Sequence, residues 1–429
     1  MKLKHITQFR KYSAETMREF IFDSLYNKDY GYFCKNVNIF HSPNVIPFSK
    51  LKDQDAYCRH LKDIYSTSDN SERITSTSTS TKNARFHQLW HTPSELFQPF
   101  YGRAITNFLL SNTPGPGPLV IYEIGPGNGT LAANILKTLK DDFPQIYERT
   151  EYNLIEISQH LREKQKAKLV PLYRDHVRFP DISILESSDH DQIDMRPCWI
   201  VGMEVLDNLA HDLIKFRNED GAVMEAIVHT NKDATYGSTP GKYWREFRVA
   251  QDEHVLRYVA MGDNLNWKWA SLRGKPLRRA LERFSPLEYV NPWSCEFIPT
   301  DAFKLQRTIS KCFPNHSAIF SDFDELPDTV AGHNAPVVQT RFRGVTVPCS
   351  SVLLERGLFD IFFPTNFDRF AQIHAKLRPP GYTHAVQKHA QFLQRWASEA
   401  DLKATTTKSG YNPMLQDFEN VSFYTCTRV

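Results

Sequence analysis

One octapeptide, Glu123-Ile124-Gly125-Pro126-Gly127-Asn128-Gly129-Thr130, concentrates residues that let a ligand approach the backbone. Three alternating glycines leave open the space a Cβ would fill. The spacing is G-x-G-x-G. A dinucleotide fingerprint asks for G-x-G-x-x-G, and Thr130 stands where its last glycine belongs, which disfavours a pyrophosphate. The Gly-Lys-Ser/Thr of a phosphate-cradling P-loop is also missing. The motif points to a ligand without phosphates, with a merely tight turn as the plainer alternative. Glu156 closes the next apolar run, where a carboxylate can accept both hydroxyls of a ribose or, more simply, form a surface salt bridge. Glu123, Glu156, Glu204 and Asp322 all fall at or near the carboxyl ends of predicted strands, the edge where such sheets bind ligands.

The elements that must position these residues read as alternating strands and helices. Leu119 to Ile124 is a short apolar run broken only by Glu123, the pattern of a strand buried on both faces. Thr130 to Lys140 follows as a helix with Leu131, Ile135 and Leu139 on one side. Further strands are predicted at Tyr152 to Ile157, Val177 to Phe179, Cys198 to Val201 and Ala318 to Phe323, giving an α/β fold with a Rossmann-like, doubly wound parallel sheet. Residues 211–300 change character, with Phe216, Val223, Ile227 and Phe247 in short strand-like pieces, and read as a β-rich insertion. Trp267-Lys268-Trp269 inside it suits either a half-buried strand or a partner contact.

Residues 1–112 are expected to form a separate helical region ahead of a main domain over 113–429, the boundary set by Ser111 to Pro118 with its alternating Pro and Gly. Thr92-Pro93-Ser94-Glu95 predicts a helix start with Thr92 as N-cap and the Glu95 carboxylate reaching back to a free amide, and Pro99 should bend the helix. Tyr65 to Lys82, almost devoid of apolar residues, is expected to be a mobile surface loop.

The chain has 429 residues, 41% of them hydrophobic and 24% charged, which excludes fibrous and wholly disordered classes. Fifty-two basic against forty-nine acidic residues leave +3, too little to gather nucleic acid or anionic lipid by net charge alone. No apolar run is long enough to span a membrane. The seven cysteines are odd in number, spread out and never C-x-x-C, which fits a reducing compartment and, with no H-E-x-x-H, predicts no zinc site. Lys2, Lys4, Arg10 and Lys11 precede any acid, consistent with a short organelle-targeting segment or simply a basic helix start.

A phosphate-free adenosine ligand held by an acid-x-G-x-G-x-G turn resembles S-adenosylmethionine in a class I methyltransferase. The chain further resembles the MidA-like family of mitochondrial complex I assembly methyltransferases. The resemblance runs through Leu25 to Phe33 with Gly31-Tyr32-Phe33, His91 to Tyr101, Tyr122 to Leu131, Leu154 to Leu161, Trp199 to Leu209, and Phe320 to Val347 with Asp322 and Asp328-Thr329. Where the family reads Asn-Glu-x-x-Asp-Ala-Leu-Pro, this chain has Met203-Glu204-Val205-Leu206-Asp207-Asn208-Leu209-Ala210. Glu204 and Asp207 are kept, whereas Met203 removes an amide that could orient substrate or cofactor.

The resemblance implies S-adenosylmethionine as cofactor and symmetric dimethylation of an arginine in a complex I matrix-arm subunit, in the mitochondrial matrix. It implies Glu123, Gly125, Gly127, Asn128, Gly129 and Glu156 as cofactor-binding residues. Donor sulfonium and acceptor guanidinium are both cationic, so a site joining them must supply carboxylates. Glu204 and Asp207 are the catalytic candidates; the alternative for both is capping of a helix after the fourth strand. Gly31-Tyr32-Phe33 and the helix from Thr92 would serve as a lid or as plain core packing. Two other readings stay open: a non-catalytic, cofactor-binding assembly factor of the same fold, and an NAD-dependent oxidoreductase.

Overall fold

The computed structural model describes residues 12–428 apart from 36, 40–43, 76–87, 91, 114, 186–192, 218–219, 236–240, 262–294, 328 and 343–344. Trp267-Lys268-Trp269 and the basic N-terminal residues lie outside the described residues.

The apolar runs become a seven-stranded sheet. Its parallel members are β2 (Leu119–Ile124), β3 (Thr150–Ile155), β4 (Val177–Arg178), β5 (Cys198–Met203) and β10 (His316–Phe323). The order is β14-β15-β10-β5-β2-β3-β4, with β14 (Tyr382–Lys388) and β15 (Val421–Arg428) completing one edge and β15 antiparallel to both its neighbours. Side chains alternate as a sheet covered on both faces requires. Leu119 and Ile121 enter one core with α3 (Phe100–Ser111), α4 (Thr130–Asp142) and α5 (Gln159–Tyr173), represented by Phe108, Ile135 and Leu169. Val120 and Tyr122 enter the other, with Leu305 and Ile309 of α6 (Thr300–Cys312) and Phe370 of α7 (Phe367–Leu377).

A second, antiparallel sheet rises from the loop after β5. It joins β6 (Asp212–Phe216), β7 (Val223–Asn231), β8 (Tyr243–Val249) and β9 (Glu296–Ile298), and its remaining strand is β1 (Tyr12–Thr16) from the N-terminal region. The N-terminal region is therefore not purely helical: Thr16 ends β1 and caps α1 (Met17–Tyr26), its hydroxyl accepting from the Glu19 amide. Arg18 on α1 then ties the two regions together, its guanidinium reaching Asp212 and Asp252 at 2.7 Å each and Asp301 at 3.8 Å. A third sheet has the order β12-β11-β13, from β11 (Val337–Phe342), β12 (Val345–Pro348) and β13 (Asp360–Phe362).

Three local expectations need correction. The stretch read as a loop from Tyr65 is helical to Thr75, continuing a helix that begins at Gln54, while 76–82 lie outside the described residues. Buried Tyr57 and partly buried Leu61 anchor that helix on the core, and each further turn gains hydrogen bonds once nucleation has occurred. The helix from Thr92 is two pieces, α2 (Pro93–Leu96) and α3, because Pro99 interrupts the backbone ladder between them. No helix follows β5: residues 204–211 form a turn that runs directly into β6.

Candidate active site

The glycine turn leaves β2 with Gly125, Gly127 and Gly129 at φ of +63°, +53° and +69°, a region that L-residues with a Cβ rarely adopt. The space is also closed to larger residues. A Cβ on Gly125 would stand 3.0 Å from Val205, and one on Gly129 would stand 3.3 Å from Leu169. The Gly125 amide donates to Ile155 O, fastening the turn to the end of β3, and Gly129 caps α4.

Glu156 follows β3 directly and is half-buried. One carboxylate oxygen accepts from the Ser158 amide at 2.9 Å and the other from Gln165 Nε2 at 3.1 Å. The same Gln165 nitrogen donates to Gly127 O at 2.7 Å, so a single side chain on α5 fixes the acid against the turn. Gln165 Oε1 is buried without a partner beside them. Burial pushes Glu156 above the ordinary carboxylate range. Glu123 is deeper still, accepts from Tyr152 Oη at 2.8 Å, and is raised by burial to about 7. Asn128 points elsewhere: its amide donates to Glu95 Oε1 at 3.1 Å.

Glu95 was expected to reach back to its own helix start. Instead its Oε1 also accepts from Thr130 Oγ1 at 2.6 Å, and Lys168 Nζ completes the group by donating to that hydroxyl at 2.6 Å. The Thr92 hydroxyl does accept from the Glu95 amide, so the cap is present and the carboxylate is left to organise the glycine turn.

The acids after β5 meet others that local reading did not join. Glu204 takes φ +54°, with its amide donating to Ser321 O on β10. Asp322 on β10 accepts from the amides of Leu206, Asp207 and Phe323 at 2.7, 3.1 and 2.8 Å. Asp360 on β13 accepts from Asn208 Nδ2 at 3.3 Å and sits beside Asp207. Asp207 Oδ1 and Asp360 Oδ2 are buried without a partner. Burial, followed by the mutual repulsion of the carboxylates, holds Glu204 and Asp207 well above their ordinary range; burial alone raises Asp360 and lifts Asp322 to about 7. Among the described residues none of these four acids forms an ion pair with a Lys or Arg. Capping does not explain Asp207, since no helix begins there.

The aromatic segments surround this cluster. Tyr101 on α3 donates its hydroxyl to Met203 Sδ at 3.6 Å, so the methionine is packed against the first helix of the main fold. Tyr32 is buried with Met17 and Phe20 beneath the second sheet, and Phe33 stacks on Tyr26, whose hydroxyl donates to Asn208 O at 3.3 Å. Gly31 is required by contact: a Cβ there would lie 2.4 Å from Asn27 N.

The residues present fit a cationic nucleoside without phosphates. The turn offers backbone to a ligand, Glu156 offers two oxygens already oriented by donors, and the adjoining acids have no positive partner among the described residues. Asp360 and Glu95 were missed by the sequence reading, although an acid inside the apolar run Phe359-Asp360-Ile361-Phe362-Phe363 is a legible signal of a buried role.

Comparison with known proteins agrees with this geometry. Residues 102–383 match the family described as "Putative S-adenosyl-L-methionine-dependent methyltransferase". A relative in Schizosaccharomyces pombe, named protein arginine methyltransferase NDUFAF7 homolog, mitochondrial, is 26% identical over 228 residues, covering 51% of this chain and 46% of its own length. Its namesake in Saccharomyces cerevisiae is 21% identical over 225 residues, covering 51% and 49%. The chain spans about half the length of the curated relatives it matches. A Burkholderia thailandensis protein solved bound to S-adenosyl-homocysteine shares the fold with a TM-score of 0.57 and 16% identity, over 99% of this chain and 90% of that one. With two thirds of its length matched by the family, the chain belongs to the S-adenosylmethionine-dependent methyltransferases.

Proposed function

We propose that this methyltransferase transfers a methyl group to an arginine side chain of a complex I matrix-arm subunit in mitochondria, ending at the symmetric dimethylated product. The names of the yeast relatives support arginine as acceptor and the mitochondrion as location. The observation that carries the reading is half-buried Glu204 grouped with buried Asp207, Asp322 and Asp360, with no cation of the protein's own among the described residues.

S-adenosylmethionine supplies an electrophilic methyl group on a sulfonium. Gly125, Gly127 and Gly129 let the nucleoside approach the backbone, and Glu156, steadied by Gln165 and Ser158, accepts from its ribose hydroxyls. Glu123 completes the cofactor side, and Asn128 holds the turn in place through Glu95. Two unit charges about 4 Å apart repel by roughly 4 kcal/mol at an effective dielectric near 20, so an uncompensated site would disfavour sulfonium and guanidinium together. Glu204 and Asp207 offset this repulsion. Hydrogen bonds from the guanidinium to Glu204 orient one nitrogen and localise positive charge away from it. Asp207, neutral in the free protein because of burial, is ionised once the two cations are seated beside it and then accepts the proton that the methylated product sheds.

Incubation of the full chain with labelled S-adenosylmethionine and isolated matrix-arm subunits tests the proposal. The expected result is label on arginine, lost in Glu204→Gln with cofactor affinity kept. Cofactor binding without label transfer to any subunit would instead mark a non-catalytic assembly factor.

A further inference from the structure

At the opposite end of the sheet from the acids, the register of two strands brings together side chains that are remote in sequence. His384 on β14 is the cross-strand partner of Cys426 on β15, and Tyr424 lies two residues along the same face. His374 on α7 covers them. One donor atom from each of His374, His384 and Cys426 falls within 4.8 Å of the others. Between the imidazoles sits the Tyr424 hydroxyl, 2.6 Å from His374 Nδ1 and 2.7 Å from His384 Nδ1. His374, Tyr424 and Cys426 are buried, whereas His384 is half-exposed and provides a route from solvent. None of the three lies in a C-x-x-C or H-E-x-x-H motif, because helix, strand pairing and chain end supply one ligand each.

We propose that His374, His384 and Cys426 bind a divalent cation of the zinc type, with the Tyr424 hydroxyl as fourth donor. A nitrogen–nitrogen–sulfur–oxygen set is suited to that ion, whose tetrahedral shell wants donors about 3.3–3.6 Å apart. The three ligand atoms, within 4.8 Å of one another, close to this by roughly an ångström, while the Tyr424 hydroxyl, at 2.6 and 2.7 Å from the imidazole nitrogens, moves out by roughly half an ångström or more.

The surrounding hydrogen bonds tie His374 to a second imidazole. His374 Nε2 lies 2.9 Å from His316 Nε2, while His316 Nδ1 faces both Phe313 O and Arg378 Nη1 at 2.6 Å. His374 thus has a partner on its outer nitrogen, as metal-bound imidazoles ordinarily do. Burial keeps His374 and His384 neutral and pushes the Cys426 thiol up to about 11, so its proton leaves to solvent only as the sulfur–metal bond forms. The nearest cation, Arg378, also approaches His316 Nδ1 at 2.6 Å. It is otherwise engaged by Pro314 O, His316 O and the Tyr382 ring.

Titration of the chelator-treated full chain with Co²⁺ reads the site directly. The expected signature is one equivalent with visible bands of a tetrahedral ion and a near-ultraviolet thiolate charge-transfer band, both erased by Zn²⁺. Cys426→Ser should abolish the charge-transfer band, and His384→Ala should weaken Co²⁺ binding by tenfold or more. S-adenosylhomocysteine binding reports that each variant is folded. Absence of the bands in the unaltered chain, or a thiolate band that persists in Cys426→Ser, overturns the proposal. Should Cys426→Ser fail to fold, an unchanged Co²⁺ affinity in half-exposed His384→Ala does the same.

Discussion

Asp322 accepts the backbone amide of Asp207 at 3.1 Å and leaves Asp207's own Oδ1 buried without a donor. One acid therefore spends its lone pairs on shaping the turn after β5, while the other is held in place with capacity to spare. The Leu206 and Asp207 amides are both committed to Asp322 on a neighbouring strand.

Asp207→Asn should separate folding from catalysis. Burial and the adjoining carboxylates make an ionised Asp207 costly in the free protein, and the asparagine is neutral and nearly isosteric. Urea denaturation at pH 8 is expected to show equal stability or a gain of about 1–2 kcal/mol, within the range for relieving such strain. Methyl transfer should fall at least a hundredfold. A variant that lost several kcal/mol while keeping its rate would show Asp207 to be structural.

Glu156→Ala tests the ribose assignment. Two hydrogen bonds to a charged acceptor are removed, so calorimetry with S-adenosylhomocysteine should show affinity weakened by roughly 1.5–3 kcal/mol. Gln165→Ala should give a smaller loss of the same kind, because it frees Glu156 from the Gly127 carbonyl without deleting the acid. Unchanged binding in Glu156→Ala would place the ribose elsewhere.

A pH effect follows from Glu123, whose carboxyl is raised to about 7 by burial from an ordinary 4.5. Between those values the folded protein holds a proton that the unfolded chain has released, so stability falls as pH rises through the window. The contribution is largest below pH 4.5 and is lost by about pH 7, on the order of 3 kcal/mol in all. Asp322, also raised to about 7, acts in the same direction. Denaturation without ligand at pH 5 and pH 8 should show a smaller pH dependence in Glu123→Gln than in the unaltered chain. Identical slopes would mean Glu123 stays ionised.

How much of this was legible depended on the range of the interactions. The glycine turn, the runs around Val120, Tyr152 and Ile200, and Glu156 at a strand end are written in local periodicity, and the sheet follows from them. Glu95 carries a complete local capping signature, which hides that its carboxylate turns to Asn128 and Thr130 thirty-odd residues away. Asp360 joins Asp207 only because β13 folds back beside the turn after β5, a contact no periodicity encodes. The strand β1 is similar: its partner β7 lies some two hundred residues on.

Arg18 gives the sharpest test of that long-range assembly. It is nearly buried, and its guanidinium answers Asp212 on β6, Asp252 and Asp301 on α6, two of which are themselves almost inaccessible. Burial lifts Asp212 to about 6 even though Arg18 pulls the other way, so the acid is poorly solvated and depends on its partner. Replacing a buried pair with apolar residues can be neutral, but deleting one member strands the rest. Arg18→Met should cost about 3–5 kcal/mol at pH 7 by urea denaturation. Adding Asp212→Asn to Arg18→Met should recover part of the loss by removing one stranded charge. A loss below about 1 kcal/mol in the single variant, the scale of an exposed ion pair, would show that water reaches these acids and that α1 is not fastened to the second sheet through Arg18.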